Sequence, residues 1–316
     1  MSIIFIEGIV GSGKSSTAHQ LGLHLRKLGR TTQWYFEHDS HHPIYPAGHA
    51  PNYDCELSRG QQVDIRRSVL SRWKVLAESI SRTKEVVILE GGFFQTVIDH
   101  FLLLNLGFED AINHISEVES LVASLDPAMI LLYQEDVDAA LNRILSERSA
   151  AYADYLVNIY KQSPFGRAHG ISGYPDVIEA IAATRQVRDA IFEKLRMRKL
   201  SIDNSLGDWR RYYDAITDFL ALPPMNFPSD LPGKVEMLVG NYHSAESNAQ
   251  FCVFALDNAL YFSSEARLRL VPKSGSEFYL LGTRWWVTFE TNDRGVAYAL
   301  KLFGDESAPL EAWRQI

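Results

Sequence analysis

The stretch Gly8-Ile-Val-Gly-Ser-Gly-Lys-Ser15 fills every slot of the phosphate-cradling pattern G-x-x-x-x-G-K-[ST]. Glycines at positions 8, 11 and 13 let the backbone turn tightly and approach a ligand. The N–H groups around Gly11, Ser12 and Gly13 then line an anion-binding concavity. Lys14 adds a point charge for the outer phosphates, and the Ser15 hydroxyl, followed by Ser16, is placed to ligate Mg²⁺. Before the loop runs Ser2-Ile-Ile-Phe-Ile-Glu7, a short apolar segment suited to a strand buried on both faces. After it, Ala18, Leu21, Leu25 and Leu28 recur at helical spacing, and Gly29 supplies a stop. The loop thus joins a strand to a helix N-terminus, where the macrodipole favours phosphate. The expected ligand is a nucleoside triphosphate such as ATP, with Mg²⁺.

Composition narrows the class. The 316 residues are 46% hydrophobic and 22% charged, ordinary usage for a folded protein of two domains. A net charge of −8 and the lack of any Lys/Arg run argue against a nucleic-acid surface. Cys55 and Cys252 suggest neither a disulfide framework nor a cysteine metal site. Neither a signal-peptide pattern nor a membrane-length apolar run is read, so the expected setting is the cytoplasm with no membrane partner. A homodimer is compatible with these features.

Up to about Leu222, short apolar strands alternate with amphipathic helices. The strands read as Ile3–Glu7, Thr32–Phe36, Val86–Leu89, Met129–Tyr133 and Leu200–Asp203. Helices read as roughly Gly60–Ser81, Phe93–Leu104, Asp110–Leu125, Val137–Ser149, Tyr174–Arg198 and Asp208–Leu220. Such alternation predicts a parallel sheet with helices on both faces. Residues 222–233 carry four prolines and read as a stiff linker. From 234 to 316 the period changes to two. Seven short strands, Lys234–Gly240, Gln250–Leu256, Ala259–Ser263, Arg267–Val271, Glu277–Leu281, Arg284–Glu290 and Val296–Leu302, predict a small antiparallel barrel or sandwich. Of the adjacent Trp285 and Trp286, at least one is expected in its core, because neighbouring strand residues face opposite sides.

Phosphoryl transfer asks for positioning and charge neutralisation. Glu90 ends the third strand at the edge where open parallel sheets bind ligands. It suits a Mg²⁺-bound water, or else caps the helix that starts at Phe93. Glu37 and Asp39 end the second strand, and either could accept a proton from a substrate hydroxyl, with Asp39 the first choice. His38, His41 and His42 match no common ligand spacing and fit a polar pocket lining or a surface loop better than a metal site. Arg143 and Arg148 follow the fourth strand. Five residues apart, they face one ligand only if the helix ends or bends between them. Arg66 or Arg67 could bind an anionic acceptor or sit on a solvated face, and Trp73, Phe93, Phe94, Tyr152 and Tyr155 wall an acceptor pocket or fill the core.

With these residues in place, residues 1–221 resemble P-loop kinases of the thymidylate kinase and deoxynucleoside kinase group. The resemblance rests on IFIEGIVGSGKSSTAHQL, the acidic ends of strands two and three, MILLYQEDVDAALNRILSER and KLSIDNSLGDW. It implies an α/β fold with a five-stranded parallel sheet in the order 2-3-1-4-5. Gly11, Gly13, Lys14, Ser15 and Ser16 would bind phosphates and Mg²⁺, Arg143 and Arg148 would lie in a lid, and Asn204–Gly207 would form the adenine-side loop. Where that group has an acidic residue followed by Arg, this chain has Glu90-Gly91. The last 85 or so residues resemble a small lipocalin-like barrel appended to some bacterial hydrolases, on GNYHS, LYF, RLRLVP and FYLLGTRWWVTFE. The expected activity is ATP-dependent phosphorylation of a small molecule, nucleoside-like, nucleotide-like or antibiotic-like. The alternative is a regulatory P-loop NTPase, or a nucleotide-dependent binding module, whose barrel docks a partner.

Overall fold

The structure, a computed structural model, describes residues 1–37, 39, 41–45, 58–147, 150–225, 235–256, 259–263, 267–304 and 308–315. The chain divides into two compact units, Met1–Ser146 with Ala150–Met225, and Glu147–Ser149 with Asn226–Ile316.

The first unit is built on a parallel sheet of five strands, β1 (Ile3–Gly8), β2 (Thr32–Tyr35), β3 (Val86–Glu90), β4 (Ala128–Tyr133) and β5 (Arg198–Asp203), in the order β2-β3-β1-β4-β5. Register sets Ile6 of β1 opposite Glu90 of β3, and Gly8 opposite Leu132 of β4. The carboxyl ends of the three central strands therefore share one edge, and the phosphate-type loop leaves from their middle. Around the sheet lie α1 (Lys14–Lys27), α2 (Arg59–Ser81), α3 (Gln95–Leu103), α4 (Phe108–Val122), α5 (Val137–Glu147), α6 (Ala150–Gln162), α7 (Pro164–His169), α8 (Tyr174–Lys194) and α9 (Trp209–Phe219). The start of α2 is fixed by a reciprocal cap, in which Ser58 Oγ accepts from Gln61 N at 3.3 Å and Gln61 Oε1 accepts from Ser58 N at 2.9 Å. Helices α6 and α7 were not read from the sequence. In α7, Ser163 caps Gly166 N, Pro164 stands at the first turn and Gly170 (φ +71°) ends it.

Side chains on one face of the sheet, Ile3 and Phe5 among them, join Trp73, Phe93, Phe94, Val118 and Phe192 in the main core. Phe5 packs on Phe93 with centroids 4.5 Å apart and on the edge of Trp73 at 6.0 Å. These three aromatics and Phe94 are fully buried, so they are core and not pocket wall. No helix among the described residues is long and apolar enough to cross a membrane.

The second unit is a closed antiparallel barrel. Eight strands are found among the described residues: β6 (Gly240–His243), β7 (Gln250–Leu256), β8 (Ala259–Ser263), β9 (Arg267–Ser274), β10 (Glu277–Leu280), β11 (Trp286–Thr291), β12 (Ala297–Phe303) and β13 (Leu310–Arg314). Two of them, β6 and β13, were missed by the sequence reading. The strand expected at Lys234–Gly240 is instead a 3₁₀ turn over Val235–Met237. Closure comes from β13 pairing with β6, held by Arg314, whose guanidinium donates to Ala297 O (3.1 Å) and Val239 O (2.6 Å). The interior is filled by Tyr242, Phe251, Phe262, Phe278 and Phe289. The expectation that Trp285 or Trp286 enters this core fails. Val287 is the inward residue. Trp286 lies outside, stacked on Phe303 at 5.0 Å under Lys273, and Trp285 precedes the strand and is 46% exposed.

Candidate functional site

Three short segments converge at the carboxyl edge of the sheet: the loop after β1, the turn after β3 and the residues after β2. In the first, Gly13 adopts φ +84°, and a Cβ there would lie 2.3 Å from the Trp209 ring. Gly8 is equally confined, because its Cβ would sit 2.3 Å from Leu132 O. The loop is pinned from outside by Asn204, whose Nδ2 donates to Ser12 O, and by Trp209 packed on Gly13. Among the described residues, Asn204 Oδ1 and Ser12 Oγ are buried without a hydrogen-bond partner. Ser16 is half-buried in the first turn of α1.

Lys14 is buried at the base of the loop. Its Nζ donates to Ile9 O at 3.3 Å and lies 3.7 Å from Glu37 Oε2. Ser15 Oγ donates to Glu90 Oε1, and Trp34 Nε1 donates to Glu90 Oε2 at 3.2 Å. Burial, helped by the neighbouring Glu37 charge, pushes the Glu90 carboxyl up to about 8. A serine hydroxyl and a carboxyl group in contact are hard oxygen donors, so this pair fits Mg²⁺.

Gly91 explains the departure from the acidic-Arg pattern. It adopts φ +65°, and its Cβ would lie 2.5 Å from Glu37 Oε2. Glu37 occupies the space that a side chain at this position would enter. Asp39 does something different: its Oδ2 accepts from Phe36 N at 3.0 Å, and its own N–H returns to Phe36 O, a local turn. The two carboxylates left open by the sequence thus differ in surroundings, with Glu37 facing Lys14 and Asp39 shaping the loop. In the next residues His42 is 1% exposed, and its Nδ1 accepts from Ile44 N (3.2 Å) and Tyr45 N (3.0 Å). Burial holds its pKa down near 4. Among the described residues no cluster of His, Cys, Asp and Glu is arranged for a metal ion. His38 lies outside them.

Arg143 is exposed on α5, and Arg148 lies outside the described residues. Arg66 bonds Glu117, Arg67 lies 3.6 Å from Asp64 in a solvated pair, and Arg72 donates to Ile44 O at 3.0 Å.

Sequence reading missed three charged groups behind the loop. Glu7, fully buried in β1, accepts from Phe93 N (2.8 Å), Phe94 N (3.4 Å) and Gln95 N (3.0 Å). Glu7, not Glu90, therefore caps the start of α3. Burial outweighs these bonds and the Lys14 charge, raising Glu7 to about 7. Asp99, raised by burial to about 6, and the buried Arg188 of α8 face each other electrostatically in the same region. A carboxylate within an apolar strand was the available signal for Glu7, the argument already applied to Glu90.

No family model matches the sequence, and no curated protein matches it significantly. Solved structures similar in shape include shikimate kinase from Acinetobacter baumannii in complex with shikimate, at 15% identity and TM-score 0.37, covering 70% of this chain and 93% of that one. Deoxyadenosine kinase from M. mycoides with bound dATP aligns at 14% identity and TM-score 0.38, over 69% of this chain and 99% of that one. Thymidylate kinase from Candida albicans aligns at 15% identity and TM-score 0.41, over 70% and 92%. None of the three lends this chain a substrate. The sheet order 2-3-1-4-5 and the phosphate-type loop after its central strand are those expected from the sequence.

Proposed function

We propose that the chain transfers the γ-phosphoryl group of ATP to a hydroxyl of a small molecule. The observation that carries this reading is the 3.7 Å approach of Lys14 Nζ to Glu37 Oε2, a phosphate-side cation beside an acceptor-side carboxylate. A transferring phosphoryl group needs both within reach. The loop N–H groups and Lys14 would hold the β- and γ-phosphates, and the charge on Lys14 would spread over the γ-oxygens as the bond to the leaving oxygen lengthens. Glu37 would take the proton of the attacking hydroxyl. The acceptor oxygen then bonds phosphorus, the bond to the β-phosphate oxygen breaks, and ADP leaves. Ser15 and Glu90 would hold Mg²⁺, which supplies neutralisation of the bridging phosphate oxygens. Arg143 and Arg148 are assigned to the lid, and Asn204 to the base side of the nucleotide.

The test is a mass-shift screen for phosphorylated products, run with ATP, Mg²⁺ and pooled nucleosides, nucleotides, sugars and antibiotics. One product gaining a phosphate in step with ADP is expected. Lys14→Ala should lower its formation by about a thousandfold while far-UV circular dichroism stays unchanged. Steady ATP hydrolysis with no phosphorylated product would instead favour the regulatory NTPase.

A further inference from the structure

Between α2, α3 and α4 lies a cavity that the phosphate chemistry does not use. Its volume is about 50 Å³ on the scale on which one water needs roughly 10–15 Å³, so it has room for a group of about four heavy atoms. Its sides are apolar, with Ile65 and Val69 from α2 and Val97 and Phe101 from α3. Its polar lining comes from Gln62, Arg66, His100 and His114.

His114 is 3% exposed, and its Nδ1 is buried with no hydrogen-bond partner among the described residues. Such an atom is costly to leave unmade. Burial keeps both imidazoles neutral, holding each near 4. The cation at the rim, Arg66, is already bonded to Glu117. The cavity therefore offers apolar walls and an unmet polar atom, and among the described residues its one lining cation, Arg66, is committed to a carboxylate.

A row of packed rings runs from it to the turn after β3. The His42 ring lies 3.3 Å from the position a Cβ on Gly92 would take, directly after Glu90 and Gly91. His42 stacks on Tyr45 at 5.9 Å, and Tyr45 meets the His100 ring edge-on at 5.4 Å. Tyr45 and His100 both line the cavity.

We propose that this cavity is the specificity pocket for the acceptor, and that it takes a neutral, compact group with one hydrogen-bonding atom on an apolar frame, read by His114. A carboxamide, a lactam edge or a methyl ketone has this chemistry, whereas a phosphate or carboxylate does not. The inference rests on the phosphotransferase reading and narrows it, setting neutral acceptors above anionic ones such as nucleoside monophosphates.

The experiment uses the full chain, labelled with ¹⁵N-histidine, titrated with N-methylacetamide and, separately, with acetate and methyl phosphate. Binding of 2′(3′)-O-(N-methylanthraniloyl)-ATP is read in the same samples. N-methylacetamide is expected to shift the His114 Nδ1 resonance in a saturable way, at least tenfold more tightly than either anion. The response, read at the His100 ring nitrogens in His114→Phe and at His114 Nδ1 in Val97→Phe, should disappear in both variants, each of which puts a larger ring at a residue lining the cavity. Equal or tighter binding of acetate or methyl phosphate overturns the proposal, as does an undiminished response in either folded variant. If the wild-type protein fails to bind the ATP analogue, the phosphotransferase reading fails, whatever the histidine resonances do.

Discussion

The two units bury their polar atoms in opposite ways. At its functional edge the N-terminal unit encloses Glu7, Lys14 and Glu90, each at most 5% exposed, together with His42, Asn204 and Arg188. The barrel closes on Tyr242, Phe251, Phe262, Phe278 and Phe289, and the Tyr242 hydroxyl is met by Leu238 O at 2.7 Å. Burying ionisable groups is expensive unless they are paired and hydrogen-bonded. A fold that needs only stability has no reason to gather several at one sheet edge. The contrast separates a core built for packing from one that gives up some stability to hold charge ready for a ligand.

The largest test of that contrast is Glu37→Gln. The side chain keeps its size beside Gly91 but cannot take a proton, so product formation should fall by about 10²–10⁴-fold. Binding of the fluorescent ATP analogue should persist, as measured by titration of the purified variant. A fall of less than threefold, say, would move the base elsewhere.

Next comes Glu7→Gln, which places an amide N–H₂ against backbone donors that now meet carboxylate oxygens. A loss toward the upper end of the ~1–3 kcal/mol range is expected in urea unfolding. Tyr242→Phe removes one satisfied hydrogen bond from the barrel and should cost only about 1 kcal/mol. Equal costs at the two positions would erase the distinction between the units.

Acid should act selectively on the N-terminal unit. His42, His100 and His114 are each held near 4, below the usual 6.5, chiefly by burial. As pH falls below about 6.5 the unfolded chain takes up histidine protons that the folded chain refuses until about 4, so the histidines' share of the stability drops across that window and levels below it. Glu7, Glu90 and Asp99, raised to about 7, 8 and 6, shift stability the opposite way. Urea unfolding at a series of pH values across the window reads this, and His114→Phe should flatten part of the fall. The smallest effect belongs to Trp285→Ala on the barrel exterior. Its expected cost is under about 0.5 kcal/mol by the same urea measurement.

What the sequence disclosed follows from how local each signal is. The loop at Gly8–Ser15 and its flanking periods are contiguous, so the central strand, the first helix and Lys14 were legible together. Glu90 was legible because a carboxylate at the end of an apolar strand needs a partner. Glu7 called for the same argument, but its partners are the backbone N–H groups of Phe93, Phe94 and Gln95, which only the fold brings to it. Glu37 and Asp39 stand two residues apart, and nothing in their spacing says which one faces Lys14. Strands β6 and β13 are short and acquire their meaning by pairing with each other at the seam. The two tryptophans misled because Trp285 stands before β11, where strand alternation has not yet begun.

The turn at Gly91 ties the choices at two distant positions together. With φ +65° and the Glu37 carboxylate filling the place of a Cβ, an arginine there would need both a strained backbone and the removal of Glu37. Restoring the acidic-Arg pattern by one substitution would therefore expel the group proposed as base, and changing Glu37 alone would leave Gly91 with an unfilled notch. The two positions form an epistatic pair, so any route from this site to an arginine-bearing one must change both, in either order passing through an impaired intermediate.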